Sequence, residues 1–351
     1  MHGVEATVRA AIAERGPLPF SEVMDLALYD PDAGFYAAGG RAGRRGDFLT
    51  SPEVGPLFGA VMAGALDTWW RSVGEPERLT VVEAGAGPGT WARSILAAHP
   101  ACAGALRYVL VERSAAQRAL HDRSLAAVES RADLPEPGGG PCVVLANELL
   151  DNLPVDLAER TADGWADVRV DTAGDTLGEV RVPLAADAAA RLDALAPEAE
   201  PGARIPVQAA AAEWLRQALA LAGDGGRVVA FDYAATTAEL AARPVAEWLR
   251  TYRGHDRGGP PLEALGEQDI TCEVAVDQLA QVRPPVRTST QADWLVAHGI
   301  EALVDEGRRI WQERAHLGDL EAVKARSRVT EAEALLDPNG LGSFQVLEWE
   351  P

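Results

Sequence analysis

Apolar residues fall into two kinds of pattern along the chain. Short, mostly apolar runs at 79–82, 106–111, 142–146 and 227–233 have strand character. Between them lie stretches of helical composition at 90–98, 114–128 and 208–222, the last stopped by Gly223. Strands that alternate with helices predict an open, mostly parallel sheet with helices on its faces. Further on, 286–289 reads as another strand, 291–336 as alanine-rich helices, and 343–349 as a final strand with alternating apolar positions.

The region before the first of these strands has its own pattern. A helix is expected over 4–13, closed by Gly16-Pro17, and a second after Ser21, a candidate N-cap, running to about Tyr29-Asp30-Pro31. A turn and a mobile loop are expected over 32–46. Ser51 then suits an N-cap, Pro52 the first helical position and Glu53 the positive end of the helix dipole. Val54, Leu57, Phe58, Val61, Met62, Ala65, Leu66 and Trp69 follow at three- and four-residue steps and form one apolar face.

Two insertions interrupt the core pattern. Residues 155–183 read as a β-hairpin or small meander with turns at Asp163-Gly164 and Thr172-Ala173-Gly174, and 185–194 as helical or loosely ordered. Residues 253–267, rich in Gly and Pro, are long for a structureless loop and are a candidate lid; they carry His255, either a base or an ordinary solvated histidine.

The chemistry concentrates at the turn after the first core strand, Glu83-Ala84-Gly85-Ala86-Gly87-Pro88-Gly89. Glycines tolerate positive φ and let a ligand approach the backbone beside the start of the next helix. The spacing departs from the dinucleotide fingerprint G-x-G-x-x-G, because the third glycine comes one residue early. Glu83 places a carboxylate beside the turn, which suits a cationic ligand better than a pyrophosphate. Glu112, ending the next strand, stands where an acidic side chain can accept both ribose hydroxyls of an adenosine ligand. A dinucleotide or a bare structural turn remain alternatives on these residues alone.

Composition narrows the field. The 351 residues can bury a large core and carry a main domain with a second lobe. Net charge is -21, which opposes nucleic-acid binding and fits a cationic or neutral substrate or, more simply, solubility. Arg41, Arg44 and Arg45 form a short basic cluster. Three scattered cysteines and six histidines lack metal-ligand spacing, so neither a disulfide framework nor a metal is expected. No run approaches the roughly 18 apolar residues of a membrane span, and the first residues do not read as a secretion signal, so a cytoplasmic protein is expected.

The arrangement E-x-G-x-G-x-G resembles motif I of the class I S-adenosylmethionine (SAM) methyltransferases. More of the chain carries a narrower likeness. Leu28-Tyr29-Asp30-Pro31, Gly34-Phe35-Tyr36, Gly46-Asp47-Phe48 and Thr50-Ser51-Pro52-Glu53 precede the glycine turn. Asn147-Glu148 with Asp151, Phe231-Asp232-Tyr233, Asp269-Ile270-Thr271, 291–295 and 341–347 follow it in order. In these blocks the chain resembles the MidA-like family, which includes the mitochondrial complex I assembly arginine methyltransferase.

The resemblance implies a class I methyltransferase sheet, Rossmann-like and mostly parallel with an antiparallel last strand. It implies an N-terminal helical region, 1–75, packed on the cofactor site, and a core of 76–350. Insertions near 155–225, 234–285 and 291–338 would build a substrate or lid lobe. SAM would be held by Glu83, Gly85, Ala86, Gly87, Gly89, Glu112, Arg113, Asn147 and Glu148, with Gly46, Thr50, Ser51 and Pro52 from the preceding segment. Asp133 would meet the adenine amino group, unless it is an ordinary loop aspartate. Because ligands bind beyond the C-terminal ends of parallel strands, Glu148 and Asp151 are the expected acceptor-contacting carboxylates, with His255 a further candidate. The implied reaction is N-methylation of an arginine in a protein or peptide. A methyltransferase for a peptide or small natural product, and a non-catalytic assembly factor that keeps the fold, are the alternatives. The oligomeric state is left open.

Overall fold

The computed structural model describes residues 3–37, 50–122, 128–254 and 256–351. Gly46, Asp47, Phe48, the arginines at 41, 44 and 45, and His255 lie outside the described residues.

Two helices, α1 (Val4–Arg15) and α2 (Phe20–Tyr29), open the chain. A single turn, α3 (Ser51–Val54), and the long α4 (Pro56–Ser72) lead into β1 (Leu79–Ala84). Then follow α5 (Thr90–Ala97), β2 (Leu106–Val111), β3 (Val128–Arg131) and β4 (Cys142–Asn147). An inserted sheet is made of β5 (Asp156–Thr161), β6 (Gly164–Ala173), β7 (Thr176–Pro183) and β8 (Arg204–Val207). Helix α6 (Ala209–Ala222) returns to the core strand β9 (Arg227–Asp232), and β10 (Leu249–Arg253) and β11 (Asp269–Cys272) pair outside it. The chain finishes with β12 (Arg287–Thr290), α7 (Gln291–Ala297), α8 (Ile300–Arg314), α9 (Leu320–Leu335) and β13 (Gln345–Trp349).

The central sheet has the order β12-β13-β9-β4-β1-β2-β3. β9, β4, β1, β2 and β3 are mutually parallel, and β13 lies antiparallel between β9 and β12. Both faces are covered, which explains why the strands read as apolar runs. Val81, Val143, Val229 and Phe231 face α4, α5, α7, α8 and α9, while the adjacent Val82, Val144, Val228 and Ala230 face α6. An aromatic cluster locks the first face: Phe58 stacks on Trp91 with centroids 5.0 Å apart, and Phe231 meets Trp294 edge-on at 5.0 Å. Each such pair contributes about 0.5–1.5 kcal/mol beyond its buried area.

A second core lies beyond the C-terminal rim. Val4, Val8, Ile12, Phe20, Met24 and Leu28 of α1 and α2 pack with Leu157, Val168, Trp248 and Ile270. The meander expected over 155–183 is there, antiparallel throughout.

Several local expectations need correction. The helix expected from Ser51 is two helices, broken at Gly55, whose Cβ would lie 2.3 Å from Cδ of Glu331 on α9. Ser51 is not the cap: its hydroxyl donates to Gln291 Oε1 at 2.8 Å, and Thr50 occupies the N-cap position. α2 starts at Phe20, before Ser21, whose N–H donates instead to Asp156. Of the helix expected over 114–128, only Ala115–Arg118 is α-helical among the described residues, and Val128 already belongs to β3. The insertions expected at 155–225 and 291–338 are only partly lobes, since α6 and α7 cover the central sheet. Within the candidate lid, residues 259–263 are held by Gln268, whose amide donates to the carbonyls of Pro260 and Glu263 and accepts from Gly259 N–H. None of its described residues lines the cavity below.

Candidate active site

A cavity of about 320 Å³ opens at the C-terminal ends of β1, β2 and β4. The glycine turn forms its floor. Gly85, Gly87 and Gly89 all have positive φ, at 67°, 50° and 73°. At Gly87 an added Cβ would meet no protein atom within 4 Å, so that position borders open space. Gly89 instead caps α5 and approaches Leu110, so it shapes the turn without lining the cavity.

Glu112 holds the turn from the next strand. One carboxylate oxygen accepts Gly87 N–H at 2.9 Å and the other accepts Ser114 N–H at 2.7 Å. Burial raises its pKa, and these N–H groups oppose the rise. Glu83 is on the wall but turned inward: it is 4% exposed and accepts the Tyr108 hydroxyl at 2.6 Å. Burial pushes it to about 7, against the pull of Tyr108 and the Ala92 N–H. His121, which sequence reasoning passed over, braces the turn from below, with Nε2 2.8 Å from Gly87 O and Nδ1 2.8 Å from Ser130 Oγ. A carbonyl only accepts, so Nε2 carries the proton.

Glu148 stands at the end of β4 with φ of 49°, a conformation uncommon for a residue with a side chain. Its N–H donates to Phe231 O at 2.9 Å, and Oε1 accepts from Asn147 Nδ2 at 3.0 Å. Burial, then the nearby Asp151 charge, lift the Glu148 carboxyl to about 8, although Asn147 and Ser51 N–H donate to it. Asp151 is not on the cavity wall. It is 4% exposed, and burial followed by Asp232 and Asp269 raises it well above the usual carboxylate range. Its Oδ1 has no hydrogen-bond partner among the described residues.

The loop carrying Asp151 is fixed from both sides. Asp232, at the end of β9, accepts N–H groups from Leu150, Asp151 and Tyr233. Asn152 donates to Asp269 Oδ1 at 3.0 Å and accepts from the Tyr36 hydroxyl at 3.0 Å, while its carbonyl accepts from Tyr29 OH at 3.2 Å. The sequence blocks contained Tyr29, Tyr36, Asp232 and Asp269 without giving them roles, and Asn152 was missed.

Of the remaining expected residues, Ala86, Arg113, Asp133, Asn147, Thr50 and Pro52 line the cavity, whereas Ser51 does not. The Arg113 guanidinium faces Asp25, with bonds of 2.5 and 3.1 Å, and lies 4.4 Å over the Tyr29 ring. It therefore fastens the N-terminal helices to the rim. Gln117, Trp214 and Gln217 also line the cavity and were not foreseen.

A parallel sheet whose last strand is inserted antiparallel, with a glycine turn and an acidic residue ending the next strand at one rim cavity, defines a class I SAM-dependent methyltransferase. Residues 61–289 match the family described as "Putative S-adenosyl-L-methionine-dependent methyltransferase", and the chain belongs to that family, the MidA-like methyltransferases.

The protein arginine methyltransferase NDUFAF7 of Danio rerio, mitochondrial, is 26% identical over 303 residues, covering 77% of this chain and 69% of that protein. Its Drosophila melanogaster homologue is 43% identical over 89 residues, covering 25% of this chain and only 20% of the fly protein. A Burkholderia thailandensis structure bound to S-adenosyl-homocysteine superposes with a TM-score of 0.83 at 27% identity, covering 99% of this chain and 92% of that one.

Proposed function

We propose that the protein transfers a methyl group from SAM to a side-chain nitrogen of arginine in a protein or peptide. The observation that carries this reading is Glu148, a cavity-lining carboxylate at the end of β4 with Asp151 and Asp269 acting on it from behind. An arginine guanidinium stays protonated near neutral pH, and a carboxylate can bind its N–H groups through charge-assisted hydrogen bonds and bias its charge.

The residues present fit the cofactor. Both oxygens of Glu112 already accept one N–H each, which leaves lone pairs for two ribose hydroxyls, and Gly87 leaves room beside them. Bound SAM supplies an electrophilic methyl on a sulfonium. The chain's part is positioning: the glycine turn and Glu112 fix one reactant, and Glu148 fixes the other. Thr50, Pro52, Asn147 and Asp133 complete the proposed cofactor set. The N-terminal helical region is assigned the cofactor side, supported by Tyr29 and Tyr36 on the cavity wall, and the insertions near 155–225, 234–285 and 291–338 the acceptor side.

The relatives named as protein arginine methyltransferases support the acceptor class. Their names also carry a mitochondrial location. Among the described residues no helix is long and apolar enough to cross a membrane. The cytoplasm proposed here is supported by the three cysteines, which are buried and form no disulfide, as suits a reducing compartment.

The test is to incubate purified protein and methyl-labelled SAM with cell extract and to analyse the products by mass spectrometry. Label on arginine is expected. A protein that binds SAM but labels only other residues or small molecules would end the arginine reading.

A further inference from the structure

A second hollow, of about 460 Å³, opens at the same end of the sheet. Tyr233, Arg250, Glu273, Asn339, Ser343 and Phe344 line it. Tyr233 directly follows β9 and Phe344 directly precedes β13, and their ring centroids are 4.0 Å apart. The hollow therefore sits beside the strand end next to Glu148, whose N–H is bonded to Phe231, two residues before Tyr233. Tyr233 lines this hollow and not the cofactor cavity. Its phenol borders the hollow, and the Glu148 and Asp151 carboxylates act on it as charges near enough to disfavour its ionisation, second only to burial.

The lining has a definite chemistry. Its charged side chains are Arg250 and Glu273, 3.9 Å apart, and the same Glu273 oxygen also accepts from Arg243 at 3.0 Å. The rest are an amide, a hydroxyl, two aromatic rings and the segment at Gly340 and Leu341. A peptide backbone, which must both donate and accept at every residue, would find both kinds of partner, with ring faces for a flanking side chain.

We infer that this hollow holds the polypeptide segment beside the arginine to be methylated, so that the acceptor side chain reaches Glu148 past Tyr233. The inference rests on the arginine reading and adds where the substrate's backbone lies and why a polypeptide is preferred to a free guanidine.

Asn339 and Ser343 are exposed on the rim, outside the cofactor cavity, so Asn339→Trp and Ser343→Trp fill the hollow without altering that cavity. The probes are a degenerate library of peptides with one central arginine, arginine amide as a small acceptor, and methyl-labelled SAM. Each variant is expected to raise KM for the library about tenfold or more, the loss of at least ~1.4 kcal/mol of binding. SAM affinity by calorimetry and turnover of arginine amide should match the unaltered protein. Unchanged library kinetics in both variants, or equal losses on library and amide, would overturn the inference. If the unaltered protein binds SAM yet labels arginine in neither probe, the arginine reading itself fails and takes this inference with it.

Discussion

Glu112 accepts the N–H of Gly87 at 2.9 Å, so the carboxylate that ends one strand fastens the glycine turn that ends its neighbour. The bond links cofactor recognition to the shape of the turn. Glu112→Ala should remove both this support and the ribose acceptors, and two such hydrogen bonds at about 1.5 kcal/mol each correspond to roughly 100-fold weaker SAM binding. Titration calorimetry checks this, and an unchanged affinity would place the cofactor elsewhere.

Gly87→Val adds a branched side chain at φ of 50° in a spot where no protein atom stands within 4 Å. The protein should still fold, at a cost of about 1–2 kcal/mol for the left-handed conformation, while SAM binding is lost to the side chain standing in the cavity. Thermal denaturation with and without SAM reads both effects. A variant stabilised by SAM as much as the parent would contradict the assignment.

Glu148→Gln should keep SAM binding and lose turnover by about 100-fold or more, the scale for removing one partner of a desolvated charge pair. The parent's pH profile carries the sign. With its carboxyl lifted to about 8, Glu148 is largely protonated at neutral pH in the free protein, and a cationic acceptor needs it ionised. Accordingly kcat/KM should rise with pH and level off above about 8, and Glu148→Gln should show no such inflection from this residue. A flat parent profile between pH 6 and 9, read against the ordinary titration range of a raised carboxyl, would remove Glu148 from the acceptor role.

The same raised carboxyls set the stability of the ligand-free protein. Glu83 at about 7 and Glu148 and Asp232 at about 8 hold protons in the fold that the unfolded chain has already released. Their contribution is fully present below the unfolded carboxylate range near pH 4 and is lost as pH rises through 7 to 8. Melting temperature should therefore fall across that window, and Glu148→Gln should reduce the fall. Differential scanning calorimetry at pH 6 and pH 9 measures it; an equal or greater fall in the variant would count against the buried environment described here.

Gly55→Ala tests how Glu331 of α9 sets the junction of α3 and α4 at the lip of the cavity. Glu331 accepts Leu57 N–H at 2.8 Å and Ser327 Oγ at 2.7 Å, leaving no room for a Cβ at Gly55. The variant should lose about 2–3 kcal/mol of stability by chemical denaturation. Little or no loss would mean that the α3 to α4 junction adjusts freely.

How much of this was legible follows from distance along the chain. The glycine turn, Glu112 and Glu148 could be read because each sits one or two residues from the end of an apolar run, and the run's length fixes which rim it reaches. Helix starts were less secure. Ser51 has the residue type of a cap, yet its hydroxyl goes to Gln291, 240 positions away, and a local rule cannot anticipate such a partner. The segment 253–267 reads as a lid because it is rich in glycine and proline; the side chains of Thr251 and Gln268 that hold its described part give no local signal.

The sequence alone determined the strand and helix periods, the glycine turn and the acidic residues at strand ends, because these depend on backbone sterics and on neighbours a few residues apart. Only the tertiary structure decided that Asp151 lies behind Glu148 rather than beside it, and that Asn152 joins Tyr36 to Asp269 across 116 and 117 positions of chain. Burial and charge act through space, so the pKa of Glu148 and the role of Asp151 exist only once the fold has drawn these separate segments around one rim.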